Sequence, residues 1–357
     1  MTHSAKPSGA SFHNRVREFR LKRGWSQDEL ALRTGLSRPG ISAIEVGRTI
    51  PATTAALALA RALECRVEDL FLFGGPAGEP AGWAWQPQRE PCRYWRAAVG
   101  PQTRLYPVEA LLSAAVAHDG LWRDGAPIDS RSTAPPTLVI ATCDPAVGVL
   151  AEELWQSQGV RVLAFSRPSQ EALALLAQGV VQAAGIHFAE RERRDRNAAA
   201  ARAVLGGNGM LVHVARWNEG IASHPGLHVR SLRELFAGQV RWVGRQAGSA
   251  ARDLQDELLG DRRPPRRLAF GHRGVAEAVR NGWADAGVCL QLASEEAGLD
   301  FLNVHEEPYD FCIRADMEGD PMIRHLLTAL RSHSYRRVLN ELPGYSARDL
   351  GEVQSLA

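Results

Sequence analysis

The stretch GRQAGSAARDLQDELL, Gly244 to Leu259, places Gly and Ser just before a run with apolar residues at helical spacing, and Arg252 lies one turn in. A helix starting there aims unpaired backbone N–H groups and the positive end of its dipole at whatever lies beyond Ser249. A Ser hydroxyl and an Arg guanidinium both suit a small oxyanion, the latter bidentately. The same kind of polar or Gly junction recurs at Thr142–Cys143–Asp144, Ser166 to Ser169 and Gly271–His272. Plainer roles stand beside these. Ser249 and Asp144 suit helix capping, and Arg252 suits an ion pair with Asp256 four residues on.

Other reactive residue types lead less far. Cys143, His187 and Asp144 contain the elements of a nucleophile set, but their spacing follows no hydrolase pattern. His187, after QAAGI, reads first as a packed histidine and second as a cleft residue. The five cysteines are scattered without a CxxC, so neither a zinc site nor a disulfide framework is expected. GGNG at 206–209 is a turn rather than a phosphate loop, and ERERRDRN at 190–197 is a solvated face. A binding protein is expected, not an enzyme, with no cofactor and no bound metal.

The elements that must position these junctions lie beyond residue 137. TLVIAT, VRVLAFS, VQAAGI, VRWVGR, RRLAF and ADAGVCL read as strands, and most are followed by a helical run such as DPAVGVLAEELWQSQG or SAARDLQDELLG. That alternation predicts an α/β fold with parallel sheets covered on both faces. Ligands of such sheets bind beyond the carboxyl ends of the strands, where the junctions lie.

The first 72 residues are different in kind. They hold eleven Lys and Arg against seven Asp and Glu, a local +4 in a chain of net charge +2. Only this segment is basic enough to seek phosphate. It reads as five short helices, an all-α unit over 12–72. Ser26 and Ser37 are N-caps, Glu29 completes a capping box, and Pro39 sits in a first turn where its missing N–H costs little. Two short helices joined by a tight turn make a helix-turn-helix. Between the two regions, 73–136 is a Pro- and Trp-rich linker: a joint of about ten residues from Gly74, then a β-hairpin or two, with RDGAPIDSRSTAPPT as a second loop. The N-terminus lacks the apolar core of a signal peptide, and no apolar run approaches the roughly 18 residues that span a bilayer. A cytoplasmic protein away from membranes is expected.

Two resemblances extend this reading. LKRGWSQDELALRTGLSRPGISAIEVGRTIP closely resembles the phage-repressor-like (XRE) helix-turn-helix family. By position, the resemblance implies that Gln27 and Arg48 touch phosphates and that Arg38, Pro39 and Ala43 face base edges. It implies binding to a palindromic operator as a homodimer. Residues 137–350, through ATCDPAVGVLAEEL, VQAAGIHF, GRQAGSAARDLQDELL, AVRNGWADAGVCL, YDFCIR and ELPGY, resemble the periplasmic-binding-protein-like domain related to molybdate-binding proteins. This implies lobe one at 137–214 and 308–350, lobe two at 226–304, and crossings near Val212–Ala222 and Tyr309–Arg314. It implies a cleft walled by Thr142, Cys143, Asp144, Ser166 and Ser169 on one side and by Ser249 and Arg252 on the other, with Asp285 and Tyr309 at the rim. The effector implied is a small anion, molybdate or tungstate. A small organic metabolite or a protein partner is the alternative, because Asp144 and Asp285 would oppose a bare dianion. The fold class is therefore multidomain, an all-α helix-turn-helix domain with a two-lobed α/β domain.

Overall fold

The structure is a computed structural model that describes residues 11–74, 82–109, 117–130, 134–188, 196–228 and 230–357. The Gly/Pro joint at 75–81 and most of the ERERRDRN face lie outside the described residues. The chain divides into two compact units, Met1–Gly82 and Trp83–Ala357.

In the first unit, β1 (Ser11–Asn14) leads into α1 (Val16–Lys22), α2 (Gln27–Thr34), α3 (Arg38–Glu45), α4 (Thr53–Ala62), α5 (Val67–Leu70) and β2 (Phe71–Gly74). The five helices are where the sequence puts them, except that residues 11–14 pair antiparallel with β2 rather than extending α1. Asn14 enforces the break, its Oδ1 accepting the Val16 N–H at 2.9 Å. Val16, Leu30, Ile41, Ile44, Leu59 and Leu63 form the core. Ser26 Oγ accepts the Glu29 N–H at 3.1 Å and Ser37 Oγ accepts the Gly40 N–H at 3.2 Å, which fixes where α2 and α3 begin.

The second unit opens with β3 (Cys92–Val99), β4 (Gln102–Pro107), β5 (Gly120–Arg123) and β6 (Ala126–Ser130), an antiparallel sheet in the order β4-β3-β5-β6. The hairpins expected after the joint are present, but they belong to the second unit rather than to a linker. Trp95, Ala97, Val99 and Tyr106 share one core with Leu138 and Phe165, and Tyr106 donates to the Val180 carbonyl at 2.7 Å. The stretch beginning RDGAPIDS is likewise a hairpin and not a loop. Asp124 and Gly125 both have positive φ, the conformation that a two-residue hairpin turn requires.

Lobe one continues with β7 (Thr137–Thr142), α6 (Val147–Gln158), β8 (Arg161–Ser166), α7 (Ser169–Ala177), β9 (Ala183–Ile186) and α8 (Arg196–Leu205). The long strand β10 (Gly209–Ser223) crosses to lobe two, which holds α9 (Leu232–Ala237), β11 (Trp242–Arg245), α10 (Ala250–Leu259), β12 (Arg267–Ala269), α11 (Gly271–Arg280), β13 (Ala286–Leu290) and α12 (Gln291–Glu296). β14 (Asp300–Arg314) returns, and α13 (Pro321–Leu330), α14 (His333–Glu341), β15 (Tyr345–Ser346) and β16 (Val353–Ser355) complete lobe one.

One sheet path, β12-β11-β13-β10-β14-β9-β7-β8, links the lobes through the antiparallel β10–β14 pair. That pair runs from Gly209↔Arg314 to Ser223↔Asp300 and is broken by irregularities at His213/Ala215 and Glu219/Gly220. The second crossing thus starts at Asp300, well before Tyr309. In lobe two, Val243, Val275, Val279 and Cys289 pack on one face of the sheet and Ile221, Leu235, Ala250, Leu254 and Val288 on the other. Among the described residues, no helix is long and apolar enough to cross a membrane.

Candidate functional site

The first unit exposes one end of α3. Arg38, Pro39 and Arg48 are exposed and Ala43 is half-buried. Arg38 lies 3.5 Å from Asp28, with both side chains mostly in solvent, so its guanidinium is held only weakly. Gln27 is differently placed. Its carboxamide donates to Glu45 at 2.9 Å, and Glu45 in turn accepts from the buried Arg20 at 2.6 Å. That network locks α1, α2 and α3 together and takes one N–H of the Gln27 amide.

In the second unit the junction residues of the two lobes face each other. Arg273 of lobe two donates to the Pro145 carbonyl of lobe one at 3.4 Å. A Cβ on Gly271 would sit 3.8 Å from Ser166 Oγ, and one on Gly248 would sit 3.2 Å from Gln170 Oε1. The lobes are in contact, and what they enclose is polar.

Between them lies a buried cluster made by strand ends and by the crossing strands. Lobe one contributes Cys143 after β7 and His187 after β9. Lobe two contributes Arg245 at the end of β11 and His272 in the first turn of α11. β10 contributes Trp217 and Glu219, and β14 contributes Glu307. Except for half-buried Cys143, all are buried, Arg245 and Glu219 completely. The Cys143 sulfur and ring nitrogens of His187 and His272 lie within 4.8 Å of one another, as do a His187 nitrogen and oxygens of Glu219 and Glu307.

The hydrogen bonds fix most of the protons. His187 Nδ1 lies 2.6 Å from Glu307 Oε1, which also accepts from Trp217 Nε1 at 2.8 Å. His187 Nε2 lies 3.1 Å from Cys143 Sγ. Burial alone would lower the His187 pKa, yet the Cys143 sulfur and the Glu307 carboxylate raise it well above the usual value. Burial would raise Glu307, but the His187 charge and its hydrogen bond hold it well below the carboxylate range. Burial, then the Glu307 charge, pushes Glu219 well up, so that it keeps its proton. Burial, then the Arg245 charge, lowers His272 and keeps it neutral.

Arg245 Nη1 lies 3.1 Å from His272 Nδ1. A guanidinium can only donate, so this nitrogen accepts and the neutral ring carries its proton on Nε2. His272 Nε2 and Arg245 Nε are buried, and neither has a partner among the described residues. Two buried N–H donors therefore stand without an acceptor on side chains near Glu219, whose carboxyl leans on Glu307 and lies 3.9 Å from His272 Nδ1. Orphaned buried donors of this kind mark the place of a missing acceptor. The spacing of Cys143, His187 and His272 would also admit a metal ion, but the His272 lone pair is committed to Arg245 and its other nitrogen carries the proton. The set fits an anion better than a cation.

The buried carboxyl has a consequence for stability. Glu219 has a folded pKa above its unfolded one, so its contribution is fully present below the carboxylate range and is lost as pH rises through the folded value. Glu219→Gln is expected to stabilise the effector-free protein at pH 8 and to leave it unchanged at pH 4, as read by urea midpoints. A smaller gain at pH 8 than at pH 4 would contradict the assignment.

Several residues expected at the cleft have other work. Ser249 accepts the Arg252 N–H at 3.3 Å and is the N-cap of α10. Arg252 pairs with Asp256 at 2.7 Å and donates to the Arg245 carbonyl at 3.2 Å, so its guanidinium is already taken. Asp144 is buried, with Oδ1 accepting from Tyr345 and from the Ala146 N–H. Ser169 Oγ bonds both the carbonyl and the N–H of His187 and so positions that ring's backbone. Tyr309 is fully buried rather than at a rim, 2.5 Å from Thr142 Oγ1 and stacked on Trp217. Ser166 is exposed at the lobe boundary. Asp285 is at the wrong end. It precedes β13, next to the start of β11, where Arg241 grips it, and it faces away from the junctions. Of the expected wall, Cys143 alone enters the cluster. His187 joins it in the role read second.

Arg245, Glu219, Glu307 and Trp217 were missed. Their signal was present: Arg245 ends an otherwise apolar strand inside the GRQAGS stretch, and Glu219 and Glu307 interrupt long extended runs.

Comparison with known proteins agrees with both halves. Residues 151–331 match the model of the PBP superfamily domain and residues 16–70 match a helix-turn-helix model. The chain is 25% identical over 228 residues to YvgK, an uncharacterised protein of Bacillus subtilis, covering 61% of this chain and 73% of YvgK. Over 59 residues it is 44% identical to an uncharacterised HTH-type transcriptional regulator of Archaeoglobus fulgidus, covering 16% of this chain and 84% of the regulator. It is also similar to an ABC-type phosphate transport receptor from Vibrio cholerae, at 16% identity and a TM-score of 0.41, covering 58% of this chain and 99% of the receptor.

Proposed function

Since the chain belongs to the PBP superfamily domain family and carries a helix-turn-helix ahead of that domain, we propose that it is a one-component transcriptional regulator. The first unit binds DNA, and the second senses a small oxyanion of the molybdate or tungstate class between its lobes. One observation carries the ligand reading: Arg245 and His272, in contact at 3.1 Å and with His272 close to His187, each keep a buried N–H without an acceptor. Glu219 and Glu307 do not oppose an anion as two bare charges would. The first keeps its proton and the second is matched by His187.

Regulators of this kind read two half-sites about 34 Å apart as dimers. The reading accordingly includes a homodimer, a palindromic operator and a cytoplasmic location, and a regulator rather than an enzyme. Lobe closure on the anion is the hinge event that changes DNA affinity.

A thermal-shift panel on the full chain tests the ligand. Molybdate or tungstate at about 100 times its Kd adds ~2.7 kcal/mol of stability. A second reading has its own support, the adjacent buried carboxyls of Glu219 and Glu307, which would suit the ammonium group of a small amino-bearing metabolite. If amino acids raise the melting temperature and no oxyanion does, that reading replaces the first. For DNA, Arg38→Ala on an operator recovered by in vitro selection should lose about 1–3 kcal/mol of discrimination and keep weak, salt-sensitive binding. Full specificity in the variant would remove Arg38 from base recognition.

A further inference from the structure

Cys143 meets a histidine that is itself held by a carboxylate. Sγ lies 3.1 Å from His187 Nε2, and His187 Nδ1 lies 2.6 Å from Glu307 Oε1. Glu307 is fixed in turn by Trp217 Nε1 at 2.8 Å, and the His187 backbone by both bonds to Ser169 Oγ. This is the geometry of an activated nucleophile: a thiol within reach of a base, and a third group that orients the base. The sequence spacing of Cys143, His187 and Asp144 hid it, because the third member is Glu307, which arrives on a crossing strand.

We propose that Cys143, His187 and Glu307 form a thiol-activating triad, which makes Cys143 a covalent modification site for small anionic electrophiles inside the effector cluster. His187 takes the thiol proton, and Glu307 is the positioning residue that turns Nε2 toward sulfur. Arg245 Nε and His272 Nε2 supply the unsatisfied donors that draw in a negative group. The raised His187 pKa agrees with an imidazole that readily takes a proton between the Cys143 sulfur and the Glu307 carboxylate. Of the other cysteines, Cys65 and Cys92 are half-buried, Cys289 and Cys312 are buried, and none has a histidine partner among the described residues.

Iodoacetate is the probe. The Cys143 sulfur forms an S–C bond as the C–I bond breaks, iodide leaves with the electron pair, and the thiol proton passes through His187 to solvent. On the full-length protein, with each cysteine mapped by mass spectrometry, Cys143 is expected to be carboxymethylated at least about tenfold faster than Cys65 and Cys92. Iodoacetate should outpace neutral iodoacetamide at Cys143 and not at the other two. His187→Gln should bring Cys143 to the rate of Cys65, and Glu307→Gln should lower it part of the way. Cys289 and Cys312 staying unlabelled shows that a variant has kept its fold; where it has not, the wild-type rates decide alone.

Cys143 reacting no faster than Cys65 with either reagent overturns the proposal, as does a folded His187→Gln protein with the wild-type rate. The preference for the charged reagent rests on the oxyanion reading, whereas the rate advantage of Cys143 does not. A fast Cys143 without that preference would sink the oxyanion and leave the triad standing.

Discussion

Arg245→Met is expected to weaken oxyanion binding roughly 10- to 100-fold while leaving the effector-free protein at least as stable as the wild type. Arg245 is fully buried, its Nε has no partner, and burial lowers its pKa. An uncompensated buried cation is costly, and replacing one by an apolar residue of similar length is often neutral or stabilising. With the anion present the balance reverses, because hydrogen bonds to charged groups contribute about 1.5–3 kcal/mol each. The one lost N–H contact, at Nε, amounts to about 1.5–3 kcal/mol, roughly 10- to 100-fold in Kd. Calorimetry with molybdate and thermal melting without it check both halves. Wild-type affinity in the variant would show that the anion, if any, is bound elsewhere, and a much lower melting temperature would show that Arg245 is a structural residue.

The second large effect is expected at Trp217. Its ring is fully buried at the lobe crossing, stacked on Tyr309 with centroids 4.3 Å apart and edge-on to Tyr345 at 5.7 Å. Trp217→Ala removes that volume where the β10–β14 pair leaves little room to collapse, and should cost about 3–5 kcal/mol. It also removes a donor from the ionised Glu307. Trp217→Phe keeps most of the ring contact and loses the donor with part of the indole volume, so its cost should be nearer about 1–3 kcal/mol. Urea unfolding should order the proteins wild type, Phe, Ala from most to least stable. Equal losses in the two variants would mean that the hydrogen bond, and not the packing, holds the crossing.

What could be read in advance follows from how local each signal is. Ser26, Ser37 and Ser249 are caps because a cap is written within four residues, and all three cap their helices. The strand–helix alternation is equally local, and both faces of the lobe-two sheet are covered as it implies. The hairpin at Asp124–Gly125 was legible too, since Asp-Gly is a strong two-residue turn signal that the surrounding polar residues obscured.

The site itself was not local. Arg245, adjoining the quoted helix start, enters the cluster because its strand ends there, while Arg252, one turn later, is absorbed by Asp256. Which of two nearby arginines points inward depends on strand register and helix phase together. Glu219 and Glu307 come from strands that meet only after the lobes have formed, and β10 changes register at Glu219/Gly220. Asp285 looked like a junction residue by its neighbours, but it stands at the start of a strand rather than at its end.

The most direct test of the account is the affinity of the full-length chain for its selected operator, by fluorescence anisotropy, with and without saturating molybdate, in wild type and in Arg245→Met. An oxyanion-coupled regulator is expected to change its operator affinity by about 5- to 150-fold in the wild type, the usual range of coupling between two sites, and far less in the variant at the same molybdate concentration. No change in the wild type, or the same change in Arg245→Met, would contradict it.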